Sequence, residues 1–215
     1  LSAYTNIDQA EDNPKLAYDV NQLGTRNIAK IAKKHDIPIL YVSTDNVFDG
    51  NSKTPYKPQD ATNPINVYGK SKLLGEMEIK KNTKKYYILR TSWLYGPGGY
   101  VDAMLTFSNF RKEISVVDDQ VGCPTSTLDI SKKIIEIIKN KSPYGTYHLS
   151  SSGSATWSDF TRKIFELKKR NVEVNAIDKS DFPRPALRPK YCVLDSSNVL
   201  PDWKESLSEY LSAKK

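Results

Sequence analysis

The sequence predicts an α/β fold built on a parallel sheet, and three observations carry that prediction. Apolar runs of strand length, "IPILYVS" at 37–43 and "YYILRTS" at 86–92, are continuous instead of alternating, as strands buried on both faces are. Stretches with helical periodicity separate the strands, and this alternation is the pattern of parallel α/β sheets. The strands end in polar groups, Ser43-Thr44-Asp45, Thr91-Ser92-Trp93 and His148-Leu149-Ser150, where such sheets bind their ligands.

Taken in order, the opening residues read as the end of a strand running into a loop. Asn13 and Pro14 then cap and open a helix whose apolar stripe is Leu16, Val20, Leu23, Ile28, Ile31 and Ala32. Gly24 interrupts that stripe at a cost of about 1 kcal/mol relative to alanine, and close packing against a neighbour is the expected reason. After the first strand, residues 44–66 are polar, contain Pro55, Pro58 and Pro64, and form a long loop of the kind that is functional or disordered. A helix over 67–81, the strand "YYILRTS", the turn "WLYGPGG" and a shorter helix over 101–111 follow. Next come the strand "ISVV", the loop "DDQVGCPTS" and the helix "LDISKKIIEIIKN". The strand "GTYHLS", a helix over 156–169, the strand "VEVNAI", the proline-punctuated loop "DFPRPALRP" and a last helix "WKESLSEYLSAKK" complete the order.

The bulk properties bound the function. With 215 residues, 38% hydrophobic and 27% charged, the chain is an ordinary globular protein with one main domain and a small appendage. Two cysteines, Cys123 and Cys192, are too few for a disulfide framework or a zinc site, so a reducing compartment and no metal are expected. No apolar run approaches the roughly 20 residues of a membrane span and no signal-like segment opens the chain, so a cytoplasmic protein without a membrane partner is expected. The net charge of +7 is spread over helix faces (Lys30, Lys33, Lys34; Lys132, Lys133, Lys139), which fits a solvated surface better than a nucleic-acid patch. A small polyanion such as a nucleotide suits the same charge.

The stretch "INVYGKSK" at 65–72 places Tyr68 four residues before Lys72. With 13 tyrosines, about one or two such pairs arise by chance. The second one, Tyr210 and Lys214, reads as a solvated helix face. Tyr68 differs because it opens a helix after a long loop and a buried strand with hydroxyls at its end. A tyrosine near pKa 10 is a poor acid–base catalyst, and a cation one turn away favours its phenolate and lowers that value. A hydroxyl from Ser43 or Thr44 would hold the oxygen that receives the proton.

Several segments in order resemble the extended short-chain dehydrogenase/reductases: "NQLGTRN", "YVSTDNVFDG", "PINVYGKSKLLGE" and "RTSWLYG". Further along, "DDQVGCPT", "GTYHLSSSGSATW" and "RPKYCVLDSS" are similar to that family's sugar-nucleotide 4-keto reductases. The resemblance implies a Rossmann-like cofactor domain, mostly residues 1–148, and a substrate-binding domain, mostly 149–215. It implies reduction of dTDP-4-dehydro-6-deoxy-L-mannose to dTDP-L-rhamnose, a precursor of cell-surface polysaccharide, with NADPH or NADH, by a protein that pairs as a homodimer.

Residue by residue, the resemblance makes Tyr68 the proton donor to the C4 oxygen, with Thr44 bonding that oxygen. Lys72 binds the nicotinamide ribose and depresses the Tyr68 pKa. Ala3, Tyr4, Thr5 and Ser43 join Tyr68 and Lys72 on the cofactor side, and Asn21 steadies the lysine through water. On the substrate side stand Thr44, Asp45, Trp93 and Gln120, with Arg188 suited to a diphosphate. Each has a plainer counterpart: Trp93 as a core cap, Asp45 as a turn cap, Arg188 as an exposed loop cation.

The pattern also departs from the family. No glycine-rich pyrophosphate loop is found, since "GPGGYV" at 96–101 has the wrong spacing and lies too late. On the usual fold, about sixty residues with the first βαβ units are expected to precede this segment, including those that read the ribose 2′ position. Asn46 and Val121 stand where tyrosine is common. Dehydratases of the family carry a glutamate base at the position of Asn46, an amide with no basic character, so elimination is disfavoured. An epimerase, and a non-catalytic subunit like the regulatory one of methionine adenosyltransferase, stay open as alternatives.

Overall fold

The computed structural model describes residues 3–214; Leu1 and Ser2, read above as a strand end, and Lys215, read as part of the last helix, lie outside them. In chain order the elements are α1 (Ile7–Asp12), α2 (Pro14–Tyr18), a π-helical turn (Asp19–Gly24), α3 (Thr25–Lys34), β1 (Ile39–Thr44), α4 (Val67–Asn82), β2 (Tyr86–Thr91), β3 (Leu94–Tyr95) and α5 (Tyr100–Phe107). They continue with β4 (Glu113–Val117), β5 (Val121–Gly122), β6 (Thr125–Ser126), α6 (Thr127–Lys139), β7 (Gly145–His148), β8 (Ala155–Thr156), α7 (Trp157–Leu167), β9 (Glu173–Ile177) and α8 (Trp203–Ser212). The α/β class and its parallel pairing are as the sequence predicts.

Local sequence explains most helix starts. Asn6 accepts a hydrogen bond from Gln9 N–H and so opens α1, a helix where the sequence predicts a loop. Asn66, Ser126, Thr156 and Asp202 cap α4, α6, α7 and α8 in the same way. Asn13 stands at the cap of α2 but makes no side-chain cap bond. The single long helix expected after Pro14 is interrupted by the π-helical turn, and such turns are frequent at functional sites.

The residues form two compact units that interleave along the chain. The first comprises Leu1–Thr91, Pro143–His148 and Arg184–Cys192. Its sheet has the order β1-β2-β7, all parallel, with Tyr41 opposite Ile88, Thr44 opposite Thr91, and Arg90 opposite His148. Ala29, Ala32, Ile39, Ile79 and Ile88 form its core between α3, α4 and the sheet. Burying Ile79 and Ile88 completely stabilises the unit by roughly 1.5–3 kcal/mol each.

The second unit comprises Ser92–Ser142, Leu149–Pro183 and Val193–Lys215. Here β4 pairs with β9 and β3 with β6 in parallel, and β5 pairs with β8 antiparallel. Tyr95, Phe160 and Trp203 build an aromatic core with Val101, Ile164 and Leu207. The strand "ISVV" therefore pairs with the late strand β9 in a sheet of their own. Among the described residues no helix is long and apolar enough to cross a membrane.

Candidate active site

Tyr68 and Lys72 lie in the first two turns of α4, and β1 delivers Ser43 and Thr44 at its carboxyl end. Thr44 caps a short 3₁₀ turn, Asp45–Val47, by accepting from Asn46 N–H. Its hydroxyl donates to Asp45 Oδ1 at 3.0 Å and acts on the Tyr68 phenol as a hydrogen-bond partner. Asp45 is buried and also accepts from Asn46 Nδ2 at 2.9 Å, so it is a bonded carboxylate and the turn's cap is Thr44.

The electrostatics differ in sign from expectation. Burial pushes the Tyr68 phenol up to about 12, opposed by the Thr44 hydrogen bond and reinforced by the Asp45 charge. Lys72 is the group that gives way: only 4% exposed, its ammonium is held down to about 8 by burial, with the Glu76 charge acting the other way. The physical reason is the lysine's own surroundings. Its Nζ sits 4.0 Å from the centre of the Tyr41 ring, and no residue among those described accepts a hydrogen bond from it. A cation in that setting is desolvated more than it is compensated.

Glu76 continues the face that Tyr68 and Lys72 begin, one turn further on, and is fully buried. It accepts from Arg90 Nε at 3.0 Å and Nη2 at 2.8 Å, the two-pronged geometry that makes arginine–carboxylate pairs strong. Ser43 donates to the same carboxylate at 2.6 Å, so the hydroxyl predicted to face a cofactor is occupied by Glu76. Arg90 reaches on to Pro58 O at 3.1 Å, while His148 Nδ1 lies 2.9 Å from Tyr56 O. These bonds fasten the long loop after β1, which is ordered by its anchors and by the stacked rings of Phe48 and Tyr56.

Asn21, in the π-helical turn, clamps the backbone of Tyr4 from both sides: Oδ1 accepts from Tyr4 N–H and Nδ2 donates to Tyr4 O, each at 2.9 Å. The same Nδ2 donates to Ser71 Oγ on α4 at 2.9 Å. Asn21 therefore ties the Ala3–Tyr4–Thr5 segment to the helix of Tyr68 and Lys72. Gly75 allows this approach, because a Cβ there would lie 2.5 Å from Asn21 O and 2.4 Å from Tyr41 Oη. Gly24, the glycine for which close packing was expected, has its nearest such neighbour at an ordinary 3.6 Å.

Arg188 is no free loop cation. It donates to Asp8 Oδ2 at 3.0 Å and to Ala186 O at 2.9 Å. In the second unit, Trp93 stacks on Trp157 with ring centres 3.8 Å apart and planes 10° from parallel. Its backbone has φ +44°, an unfavourable value for a bulky residue and the kind of strain found at functional positions. Gln120 makes a long 3.4 Å contact to Asp119.

Sequence reasoning brought Thr44, Asp45, Tyr68 and Lys72 together and missed Tyr41, Asn66, Glu76, Arg90 and Trp157. One signal was available: Tyr68, Lys72 and Glu76 recur every four residues and share a helix face. Among the described residues no cluster of His, Cys, Asp or Glu is placed to hold a metal ion.

This arrangement has counterparts. The RmlD substrate binding domain family matches residues 1–215. The chain belongs to that family. The dTDP-4-dehydrorhamnose reductase of Sinorhizobium fredii is 38% identical over 225 aligned residues, which cover 96% of this chain and 76% of the relative. A crystal structure of a dTDP-4-dehydrorhamnose reductase from Clostridium acetobutylicum superposes with a TM-score of 0.95 at 41% identity, covering 99% of this chain and 78% of that one. The Bacillus anthracis dTDP-4-dehydrorhamnose reductase, solved in complex with NADP, gives 0.95 at 39% identity, covering 99% and 79%. The resemblance drawn from the sequence motifs and the Rossmann-like class that came with it are both borne out by this RmlD-family membership.

Proposed function

We propose that this chain reduces the 4-keto group of dTDP-4-dehydro-6-deoxy-L-mannose to give dTDP-L-rhamnose, with NADPH or NADH as reductant. The observation that carries the reading is the meeting of Thr44, Tyr68 and Lys72 at the end of β1 and the start of α4, in a chain of the RmlD family. The cofactor fits this site: the Lys72 ammonium is buried, rests on the Tyr41 ring and has unused N–H donors, which suits ribose hydroxyls. NAD(P)H, when bound, supplies the hydride to C4.

The chain's own groups manage the proton. Thr44 holds the ketone oxygen, and Tyr68 gives its proton to that oxygen as negative charge develops there. A phenol pushed up to about 12 carries its proton throughout the neutral range, as a donor in the reductive direction must. The charge of Lys72, one turn away, stabilises the phenolate left behind. Asp45, Trp93 and Gln120 contact the sugar nucleotide, Arg188 takes its diphosphate, and Ala3, Tyr4 and Thr5 face the cofactor, while the Ser43 hydroxyl stays bonded to Glu76. Elimination lacks a base, since Asn46 is an amide that donates to Asp45.

Within the proposal, residues 1–148 mostly serve the cofactor and 149–215 mostly the sugar nucleotide, in a cytoplasmic homodimer. The test is NADPH oxidation by the full-length protein with dTDP-4-dehydro-6-deoxy-L-mannose, with the product identified by mass. Stoichiometric conversion to dTDP-L-rhamnose is expected. A protein that binds both molecules and converts neither is a binding subunit, and the proposal fails.

A further inference from the structure

Asn66 stands two residues ahead of Tyr68 and is only 6% exposed. Its side-chain amide is bonded through its oxygen and both N–H groups. Oδ1 accepts from Gly69 N–H at 2.7 Å, and Nδ2 donates to Asn46 Oδ1 at 2.9 Å and to Leu187 O at 2.9 Å. A primary amide offers one acceptor oxygen and two N–H groups, and here every one is matched. The orientation is fixed by its partners, because a flipped amide would set Nδ2 against the Gly69 N–H.

Three segments meet on this one side chain: the first turn of α4, the 3₁₀ turn after Thr44, and the loop that holds Arg188. The joint is tight on each side. A Cβ on Gly69 would lie 2.0 Å from Asn46 O, and one on Gly50 would lie 2.6 Å from Pro189 Cβ. On either side of Leu187 the loop is held by Asp8, which accepts from Ala186 N–H at 3.3 Å and pairs with Arg188. The Asn66 amide bonds this loop directly to the helix of the proton donor.

We infer that Asn66 is a positioning residue that fixes the Arg188 loop and the Thr44–Asp45 turn against the start of the Tyr68 helix, and so sets where the sugar nucleotide lies relative to the phenol. The inference rests on the reductase reading above and adds to it a residue that touches neither ligand. A helix cap alone would need only the oxygen; the two donations are what the positioning role requires.

Aspartate and serine separate the two. In full-length protein, Asn66→Asp and Asn66→Ser each keep a cap oxygen for Gly69 and lose both donations. The KM for dTDP-4-dehydro-6-deoxy-L-mannose is expected to rise about tenfold with NADPH affinity unchanged, and the melting temperature to fall, because Asn46 Oδ1 and Leu187 O lose their donor. Amide hydrogen exchange should quicken over 184–190 and stay as it was over 67–72. Wild-type KM together with wild-type exchange over 184–190 overturns the assignment, and so does a variant that loses NADPH binding along with KM, or whose exchange quickens over 67–72 as much as over 184–190. Wild-type protein inert toward the sugar is seen in the control alone and overturns the reductase reading; active wild type beside variants of unchanged KM overturns only the role of Asn66.

Discussion

Tyr68 and Trp93, one in each compact unit, are held by opposite means. The helix of Tyr68 is fixed by directional polar bonds made in the interior: the Asn66 cap, the Asn21 clamp, and the Glu76–Arg90 pair with Ser43. Trp93 is fixed by surface contact, stacked against Trp157 with Gly122 packed against its indole, and its backbone is left in a left-handed conformation. Buried polar bonds define one geometry and are costly to leave half-made. Ring stacks supply area and tolerate small shifts, and here they also offset a strain of about 1–3 kcal/mol. Substitutions should therefore fail abruptly in the first unit and gradually in the second.

The largest expected effect is that of Glu76→Ala. It leaves the Arg90 guanidinium, 2% exposed, without its carboxylate, and breaking a buried pair from one side costs about 3–5 kcal/mol. Urea denaturation measures it. A loss below about 1 kcal/mol, the value of a surface pair, would erase the contrast between the units.

Lys72 comes next, with a sign that depends on pH. Its ordinary value is 10.5 and the folded protein holds it at about 8, so between those pH values the unfolded chain binds a proton that the folded one does not. Stability therefore rises with pH across that window, and below about 8 the full cost of the buried cation is present, about 3 kcal/mol. Lys72→Met should stabilise cofactor-free protein by up to that amount at neutral pH, with the gain fading toward pH 10.5. Paired denaturation curves at the two pH values check it; a gain that does not change with pH would mean the burial cost is not electrostatic.

Tyr68→Phe should lower kcat by roughly a hundredfold or more, the scale for losing a general acid, with little change in stability. Because the phenol keeps its proton up to about 12, the alkaline limb of the wild-type pH–rate profile belongs to Lys72, and activity should fall as pH rises past about 8. In the second unit Gly122→Ala brings a Cβ to 2.4 Å from Trp93 Cε2, and overpacking of this kind costs about 1–3 kcal/mol. A loss at the low end, with Trp93 fluorescence shifted, would show the stack moving aside as an aromatic contact can.

The same contrast explains what was legible in the sequence. Strand and helix order follows from apolar periodicity, and α4 and β2 fall within a residue of the expected spans because their caps and apolar runs are local signals. Tyr68 with Lys72 could be found because four residues make one helical turn. Arg90 could not, since a basic residue inside an apolar strand declares its partner only when the sheet sets β2 beside α4 and Glu76. Ser43 was legible as a hydroxyl at a strand end, and its bond to Glu76 was not. Spacing alone predicts a depressed Tyr68 pKa, and burial, which spacing does not report, decides the sign. Trp157 was out of reach for the same reason as Arg90: its stacking partner is 64 residues away in the sequence.

The smallest effect sharpens the comparison from inside one unit, because Gly24 and Gly75 look alike in sequence and differ in surroundings. Gly75 is required, with a methyl there 2.4 Å from Tyr41 Oη and 2.5 Å from Asn21 O, so Gly75→Ala must push the π-helical turn off α4 and loosen the Asn21 clamp. Gly24 has φ −57° and ψ −48°, helical values that alanine shares, and its nearest neighbour at 3.6 Å leaves room. Gly24→Ala should then raise stability by about 0.5–1 kcal/mol by restricting the unfolded chain, measured as a higher urea midpoint at unchanged slope. A lower midpoint would show that the turn itself needs a residue without a side chain, and that its geometry is set by Gly24 as well as by the polar clamp beside it.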